Sequence, residues 1–488
     1  MRKLSIFLML SAAISSFGSE RTARPLTLGY ELDITREKVP TTETLHRIVD
    51  IVSGLGYAQL QLYFKDNFAY PGHGRIWRNR AHLTPDEVKD LDRYCAAKGL
   101  ELVPYQSSFG HLEPWFAHTN YLRYAEAPNG VHVTEPFRRD GGPTGLCATS
   151  PESIRFIDSL YDVLLPCFRS RFVNAGCDEV WDLYDRNCRS AAVIAERGLG
   201  RVYLDFLLQI HSSLTRRGKT MMFWSDIIRA YPQLLEQIPR DMVAMDWNYE
   251  DDGSFARTTA DLKKASCRFF VCPGSSNWCS FWGRHANMKG NVKCAWTEGL
   301  RNGAEGLLLT DWGDRGCPQP WIISLPALVY TAALVKEGRE LSDEEITARM
   351  DGICGCRCGA SVIRAADAYR KVRRNGVNGS SLFRFCLEPS RYRAKDWFAV
   401  SDFQAAVDEL RAAAKLRDLV GAPDWVRDDL ALSDLLVDLL ARRVAGDDGD
   451  PDQAFVDAYV RLWNRQNRPL GAQESLRQFA VTKAVRSE

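Results

Sequence analysis

The sequence has almost no net charge, because 63 Lys and Arg residues balance 62 Asp and Glu residues over 488 positions. A protein that binds nucleic acid or an anionic membrane through its surface charge normally carries a clear basic excess. The near balance therefore argues against both partners and favours a neutral ligand. The sequence leaves the oligomeric state open.

Long apolar runs and the common metal and nucleotide motifs are also missing. Beyond the N terminus, no stretch reaches the roughly 18 to 20 apolar residues of a transmembrane helix, so no membrane span is expected. The eight histidines form neither an H-x-H nor an H-E-x-x-H pattern, which argues against a zinc hydrolase. Nothing resembling G-x-G-x-x-G follows the first strand-like run, which disfavours a dinucleotide-binding sheet.

The N terminus has the pattern of a secretory signal. Arg2 and Lys3 precede an apolar stretch, and the small residues Ser16 and Gly18 follow it. This order predicts a signal peptide over residues 1–18 and an exported protein, periplasmic or secreted, that is soluble after cleavage. A buried N-terminal helix is the alternative. In an exported chain the fourteen cysteines permit disulfides, whose pairing the sequence does not give.

From Leu26 onward, strand-like runs alternate with amphipathic helical segments. Helix starts are marked by Thr84 and Ser150, each followed by a proline in the first turn. Strands separated by helices run parallel, so the alternation predicts a (β/α)₈ barrel over residues 25–337, with a doubly wound open sheet as the alternative. The eight predicted strands are 26–32, 58–64, 100–106, 171–176, 220–226, 242–248, 268–274 and 304–312.

After residue 337 the strand signal stops. The segments 401–422, 424–446 and 452–467 place apolar residues at helical spacing, with a polar turn between the last two. The sequence therefore predicts an α-helical C-terminal domain over residues 338–488.

Two adjacent carboxylates, Asp178 and Glu179, follow the fourth predicted strand in "VNAGCDEVWDL". Apolar neighbours surround them because they emerge from a buried strand. In a (β/α)₈ barrel the active site lies where the strands end. A carboxylate pair in such a pocket is typical of glycoside hydrolysis, and its close spacing favours a retaining or substrate-assisted route.

Aromatic and polar side chains mark the other strand ends. Tryptophan follows four successive strands, and pyranose rings present apolar faces that stack on flat aromatic surfaces. These positions are Trp224, Trp247, Trp278 and Trp312. The polar groups available to sugar hydroxyls are Asp33, Arg36, Asp66, His111, Asp226, Asp311 and Asp314. The sequence therefore predicts a carbohydrate-binding pocket.

These motifs resemble glycoside hydrolase family 20. "NAGCDEV" is similar to the family's H-x-G-G-D-E, with Asn174 and Cys177 in place of His and the second Gly. "LDITR" resembles its first strand and assigns the sugar-binding arginine to Arg36. "FGH" resembles its P-G-H and assigns the histidine to His111. "DWGD" resembles its W-x-E, with Trp312 retained and Asp314 in place of Glu.

The resemblance implies an exo-acting, retaining β-N-acetylhexosaminidase that removes terminal GlcNAc or GalNAc from glycans. In that family the substrate's own 2-acetamido oxygen attacks the anomeric carbon. Asp178 would orient the acetamido group, and Glu179 would be the general acid and base. Arg36 and Asp314 would hold hydroxyls, and Tyr249 is the nearest match to the tyrosine that holds the acetamide. The resemblance implies neither a cofactor nor a metal.

Other functions remain open on the sequence. One is a retaining β-glycosidase on sugars without an acetamide, with Asp178 as the direct nucleophile. Another is a non-catalytic carbohydrate-binding barrel, which the departures at Asn174 and Cys177 suggest. A cysteine nucleophile at Cys177 is disfavoured, because no histidine lies near it in the sequence to lower its pKa.

Overall fold

The computed structural model describes residues 26–480, so the predicted signal peptide, residues 1–18, lies outside the described residues. Ten strands are present in this part of the chain. They are β1 (Thr27–Asp33), β2 (Gln59–Phe64), β3 (Glu101–Gln106), β4 (Val131–Val133), β5 (Arg139–Gly141), β6 (Phe172–Asn174), β7 (Thr220–Trp224), β8 (Val243–Trp247), β9 (Arg268–Cys272) and β10 (Gly306–Asp311).

Eight of these strands form a closed parallel barrel in the order β1-β10-β9-β8-β7-β6-β3-β2. Tyr30 of β1 pairs with Leu309 of β10 on one side and with Leu60 of β2 on the other. The barrel prediction is confirmed: seven of its eight strands fall within a predicted run, and β1 extends one residue beyond its run, to Asp33. The open-sheet alternative is wrong. Because β1 is hydrogen bonded to both β10 and β2, the sheet is closed and has no edge strand.

Helices surround the barrel and also form the region that follows β10. They are α1 (Thr42–Gly54), α2 (Gly74–Trp77), α3 (Pro85–Ala97), α4 (Glu113–Phe116), α5 (Pro151–Leu164), α6 (Ala191–Arg197), α7 (Leu199–Arg216), α8 (Asp226–Arg229), α9 (Phe255–Lys264), α10 (His285–Asn302), α11 (Leu325–Glu337), α12 (Asp343–Cys354), α13 (Gly359–Ala366), α14 (Ser381–Leu387), α15 (Pro389–Arg393), α16 (Val400–Ala414), α17 (Asp424–Val444), α18 (Gln453–Gln466) and α19 (Ala472–Phe479).

The predicted helix starts are present. Thr84 accepts a hydrogen bond from the backbone N–H of Glu87, whose carboxylate accepts one from the Thr84 N–H in return. Ser150 caps α5 by accepting from the backbone N–H of Glu152. Such caps satisfy backbone donors that have no partner inside the helix, and each contributes about 1 kcal/mol.

The C-terminal helices pack beside the barrel at the end where the carboxyl ends of the strands lie. Phe281 and Trp282, from the loop after β9, are buried in the same apolar core as Phe383 of α14 and Phe479 of α19. After β10 the described residues form helices and no further strand, as predicted, while the division into two domains stays a prediction. Within residues 26–480 no helix is long and apolar enough to cross a membrane.

One feature of the barrel was not anticipated from the sequence. The connection from β3 to β6 contains an antiparallel hairpin, in which Val131 pairs with Gly141 and Val133 with Arg139. Its three-residue strands are too short to give a periodic signal. All fourteen cysteines are free thiols, so none of the permitted disulfides forms in the structure.

Candidate active site

A pocket of about 560 Å³, counted with its open mouth, lies at the carboxyl ends of the barrel strands. All ten residues that the sequence analysis assigned to catalysis or substrate binding line it. They are Arg36, His111, Asp178, Glu179, Trp224, Trp247, Tyr249, Trp278, Trp312 and Asp314, joined by Asp33, Tyr63, Lys65 and Asn378. The pocket thus brings together side chains that are distant in the sequence, such as Arg36 and Asp314, which are 278 positions apart.

The two adjacent carboxylates approach the same imidazole nitrogen. Nε2 of His111 lies 3.2 Å from an oxygen of Asp178 and 3.5 Å from an oxygen of Glu179. The other ring nitrogen, Nδ1, lies 3.7 Å from a carboxylate oxygen of Glu113. The Asp178 side chain is 14% exposed and that of Glu179 36%, so Asp178 is the more enclosed of the pair.

Strained backbone after β6 allows neighbouring carboxylates to face one pocket. Cys177 and Glu179 have φ angles of 74° and 47°, and His111 across the pocket has 59°. Left-handed conformations at non-glycine residues cost of order 1–3 kcal/mol each and cluster at functional sites. Gly110, next to His111, permits the close approach, because a Cβ there would lie 2.4 Å from the carbonyl oxygen of Asp178.

Asp226, at the start of α8, stabilises the loop that carries Asp178 and Glu179. The backbone N–H of Glu179 donates to its Oδ2 at 3.1 Å, while its Oδ1 is buried without a hydrogen-bond partner in the described chain. Burial, together with the negative charge of Asp178, raises the pKa of Asp226 to about 7. Asp226, predicted as a polar strand-end residue, therefore fixes the orientation of Glu179 and does not line the pocket.

The pocket keeps His111 charged and favours the protonated form of Glu179. Burial opposes the charge of the imidazolium, but the carboxylates of Asp178 and Glu113 outweigh it and raise the pKa of His111 to about 10. Burial also raises the pKa of Glu179, and the charge of Asp178 adds to this effect against the attraction of His111. A carboxyl group with a raised pKa can act as a general acid near neutral pH.

Aromatic rings form the floor and one wall. Trp224 and Trp312 lie with ring centroids 5.6 Å apart, and Trp224 donates its indole N–H to the hydroxyl of Tyr105 at 2.9 Å. The ring of Tyr249 stacks on that of Trp247, with centroids 5.0 Å apart. It packs edge to face against Trp278, with centroids 4.9 Å apart. The indole N–H of Trp312 donates to the Tyr249 hydroxyl at 3.0 Å, which fixes the phenol in the pocket.

Charged and polar groups complete the opposite side. Arg36 forms an ion pair of 3.2 Å with Asp314. Asp33 accepts hydrogen bonds from the backbone N–H groups of Thr35 and Gly313, and so ties the loop after β1 to the loop after β10. Arg36 and Asp314 together offer donors and acceptors to vicinal hydroxyl groups.

Four other residues noted in the sequence lie outside the pocket. Asp66 is buried and pairs with Arg80, and Asp311 accepts hydrogen bonds from Tyr30 and two serines. Asn174 points into the barrel interior, where its amide donates to Gln61. Burial raises the pKa of the Cys177 thiol well above its usual value, which argues against a nucleophilic thiolate. The remaining strand-end residues line the pocket.

The sequence analysis did not identify three residues that line the pocket. Tyr63 lies near the end of β2 and Lys65 directly follows the strand, where only the neighbouring Asp66 was noted. Their alternation with Asp66 along the strand was the available signal, since residues two apart share a face. Asn378 comes from the segment between α13 and α14, and no local pattern marks it.

Comparison with known proteins identifies relatives of this barrel. The model described as glycosyl hydrolase family 20, catalytic domain, matches residues 29–289. Human hexosaminidase D is 23% identical over 220 residues, which cover 44% of this chain and 43% of that protein. A beta-hexosaminidase of Akkermansia muciniphila is 23% identical over 219 residues, or 40% and 43% of the two chains. This chain therefore spans less than half the length of these two relatives.

Solved structures share the fold. Flavobacterium johnsoniae chitobiase superposes with a TM-score of 0.54 at 15% identity, covering 94% of this chain and 78% of that one. A crystal structure of a beta-N-acetylhexosaminidase gives a TM-score of 0.53 at 17% identity, covering 68% and 76%. The family match extends over more than half of the residues, from β1 into α10. The chain therefore belongs to glycosyl hydrolase family 20.

Proposed function

We propose that this protein is an exported, exo-acting, retaining β-N-acetylhexosaminidase that removes terminal GlcNAc or GalNAc from glycans. One observation carries the proposal: Asp178 and Glu179 converge on Nε2 of His111 inside a pocket walled by tryptophans. The names of the relatives, hexosaminidase D and beta-hexosaminidase, support the same substrate class. Neither a metal nor a cofactor has a role in the proposed reaction.

Glu179 is the proposed general acid and base. Its raised pKa keeps a proton available for the glycosidic oxygen as the leaving group departs. After departure the carboxylate accepts a proton from the attacking water. Its greater exposure, 36% against 14% for Asp178, fits a group that must meet both the leaving group and water at the pocket mouth.

Asp178 is the proposed partner of the 2-acetamido group. When the acetamide oxygen attacks the anomeric carbon, positive charge develops on the acetamide nitrogen. A carboxylate at that nitrogen stabilises the charge in the transition state more than in the bound substrate, which is what accelerates the step. The enclosed position of Asp178 strengthens this electrostatic effect.

Tyr249 is the proposed donor to the acetamide oxygen. Its hydroxyl accepts from Trp312, so the phenolic proton is free to point into the pocket. Burial raises the pKa of Tyr249 well above its usual value, so the phenol stays protonated. Trp247 and Trp278 hold the phenol ring from two sides, which fixes the attacking oxygen near the anomeric carbon.

A panel of aryl glycosides tests the proposed function. The mature protein is expected to hydrolyse 4-nitrophenyl β-N-acetylglucosaminide or β-N-acetylgalactosaminide and to leave the β-glucoside intact, because only the acetamido sugars carry the internal nucleophile. Release of nitrophenolate is the measurement, and proton NMR of the first-formed anomer checks retention. Cleavage of the glucoside at a comparable rate would refute the proposed mechanism. Tight binding of N-acetylhexosamine without turnover of any substrate would make the barrel a binding protein.

The pH profile tests the electrostatic role of His111. Activity should fall as pH rises through the raised pKa of Glu179, because the general acid then loses its proton. The cation at His111 lowers the pKa of Glu179, so His111→Gln should raise that pKa further and move the alkaline limb of kcat/KM to higher pH. His46→Gln, on α1, is the matched control and should leave the limb in place. A shift to lower pH in His111→Gln would contradict the proposed ion pair.

A further inference from the structure

Asn378 lines the active-site pocket although it does not belong to the barrel. It lies in the segment between α13 and α14, whereas the other residues that line the pocket come from the strand ends and loops of the barrel. Within residues 26–480 only the backbone of Asn378 is hydrogen bonded, so its carboxamide is free. A carboxamide both donates and accepts hydrogen bonds, which are the two roles that a sugar hydroxyl requires of a partner.

A buried ion pair anchors the backbone of Asn378. Its N–H donates to a carboxylate oxygen of Glu250, in the loop after β8, at 2.8 Å. The same carboxylate accepts two hydrogen bonds of 2.9 Å each from the guanidinium of Arg284, whose side chain is 3% exposed. Because a bidentate pair of this kind has a fixed geometry, Glu250 holds Asn378 in one place at the pocket wall.

The residues after Asn378 form a second anchor. The backbone N–H of Ser380 donates to the carbonyl of Cys279, in the loop after β9, at 3.0 Å. Gly379 permits this approach, because a Cβ there would lie 2.8 Å from the Cβ of Cys279. Between the two anchors Asn378 has a φ of 54°, a left-handed conformation that asparagine adopts more readily than most residues. The turn therefore presents the carboxamide in a defined orientation.

The position of the turn indicates which edge of the sugar it faces. Its anchor Cys279 follows β9, which is hydrogen bonded to β10, and the loop after β10 carries Asp314. Two strands, β7 and β8, separate β9 from β6, whose loop carries Asp178 and Glu179. Asn378 thus lies nearer to the proposed hydroxyl-binding side than to the carboxylates at the anomeric carbon. The edge of a pyranose opposite the anomeric carbon carries the 4- and 6-hydroxyl groups.

We propose that the carboxamide of Asn378 binds the 4- or the 6-hydroxyl of the terminal sugar, so that the C-terminal helical region takes part in substrate selection. The inference rests on the proposed hexosaminidase function and adds a specificity-determining residue to it. Arg36 offers only donors and Asp314 only acceptors, whereas Asn378 supplies both to one hydroxyl. A sugar without that hydroxyl leaves the carboxamide unpaired beside the bound ring.

Deoxy sugars test this contact. The substrates are 4-nitrophenyl β-N-acetylglucosaminide and its 4-deoxy and 6-deoxy derivatives, and the penalty of each derivative is its loss in kcat/KM relative to the parent. In Asn378→Gly one of the two penalties should be about ten-fold smaller than in the native protein, as loss of one hydrogen bond to the substrate would give. The penalty that shrinks identifies the hydroxyl. Two penalties equal to those of the native protein would overturn the proposal.

The choice of glycine keeps the variant folded. Glycine adopts a positive φ without strain and retains the backbone N–H that donates to Glu250. Val377→Ala is the matched control, because the Val377 side chain precedes Asn378 in the same turn, is 70% exposed and does not line the pocket. It should keep both penalties. An equal reduction in Val377→Ala and Asn378→Gly would attribute the effect to the turn as a whole and refute the role of the carboxamide.

Binding separates this proposal from the hydrolytic function. Calorimetry with N-acetylglucosamine and its 4-deoxy and 6-deoxy derivatives compares Glu179→Gln with Glu179→Gln/Asn378→Gly, without turnover. If the native protein hydrolyses none of the aryl substrates, the proposed hexosaminidase function fails, but the binding penalties still decide the inference. One penalty about ten-fold smaller in the double variant supports it. Unchanged penalties, or no binding of any of the three sugars, would reject it.

Discussion

Glu179→Gln is expected to lower kcat/KM for a disaccharide ending in N-acetylglucosamine by about 10²–10⁴-fold, the usual contribution of a general acid. The amide cannot donate a proton to the glycosidic oxygen, and its size is close to that of the carboxyl group it replaces. The backbone N–H of residue 179 should still donate to Asp226, so the loop geometry should persist. Thermal denaturation should therefore change little.

The dependence on the leaving group identifies the role of Glu179. An aryl glycoside with an acidic phenol needs little protonation, so Glu179→Gln should lose much less activity on dinitrophenyl than on sugar leaving groups. Glu236→Gln, an exposed change in the segment after α8, is the matched control and should leave both rates unchanged. Equal losses on both substrates would show that Glu179 does not protonate the leaving group.

The fold and most of the site could be predicted because both follow from strand periodicity. Buried parallel strands read as short apolar runs, and the residue after each run must lie at the barrel mouth. Trp224, Trp247 and Trp312 were placed in this way without any contact information. Tyr249, assigned through the resemblance, lies in the same aromatic wall.

Some features of the pocket do not follow from strand periodicity. Asn378 enters from the C-terminal helical region, and its backbone N–H donates to Glu250 of the loop after β8. Lys65 is an exception, because it lines the pocket with Tyr63, two residues before it, while its neighbour Asp66 does not. The left-handed backbone at Cys177 and Glu179 depends on tertiary contacts, so no local pattern predicts that both carboxylates approach one nitrogen of His111.

Asp178→Asn is expected to lower kcat for N-acetylhexosaminides by roughly 10²–10³-fold, as loss of one transition-state contact typically does. The amide keeps the shape of the carboxyl group but no longer balances the positive charge that develops on the acetamide nitrogen. The effect should fall on kcat more than on KM, because the contact strengthens only in the transition state. Asp182→Asn is an unsuitable control, because the Asp182 carboxylate accepts a hydrogen bond from the backbone N–H of Thr144 and so stabilises that loop.

A bicyclic thiazoline analogue of the sugar separates the two possible roles of Asp178. If the acetamide is the nucleophile, the analogue mimics the cyclised intermediate and should bind the native protein far more tightly than N-acetylglucosamine, and Asp178→Asn should lose most of that advantage. If Asp178 attacks the sugar directly, the analogue should bind no better than the product. In that case Asp178→Ala with azide should yield a glycosyl azide of inverted configuration, because the azide would occupy the side of the ring that the carboxylate has left. The geometry favours the first outcome, since Tyr249 and the enclosed Asp178 line the same pocket and can hold the acetamide from two sides.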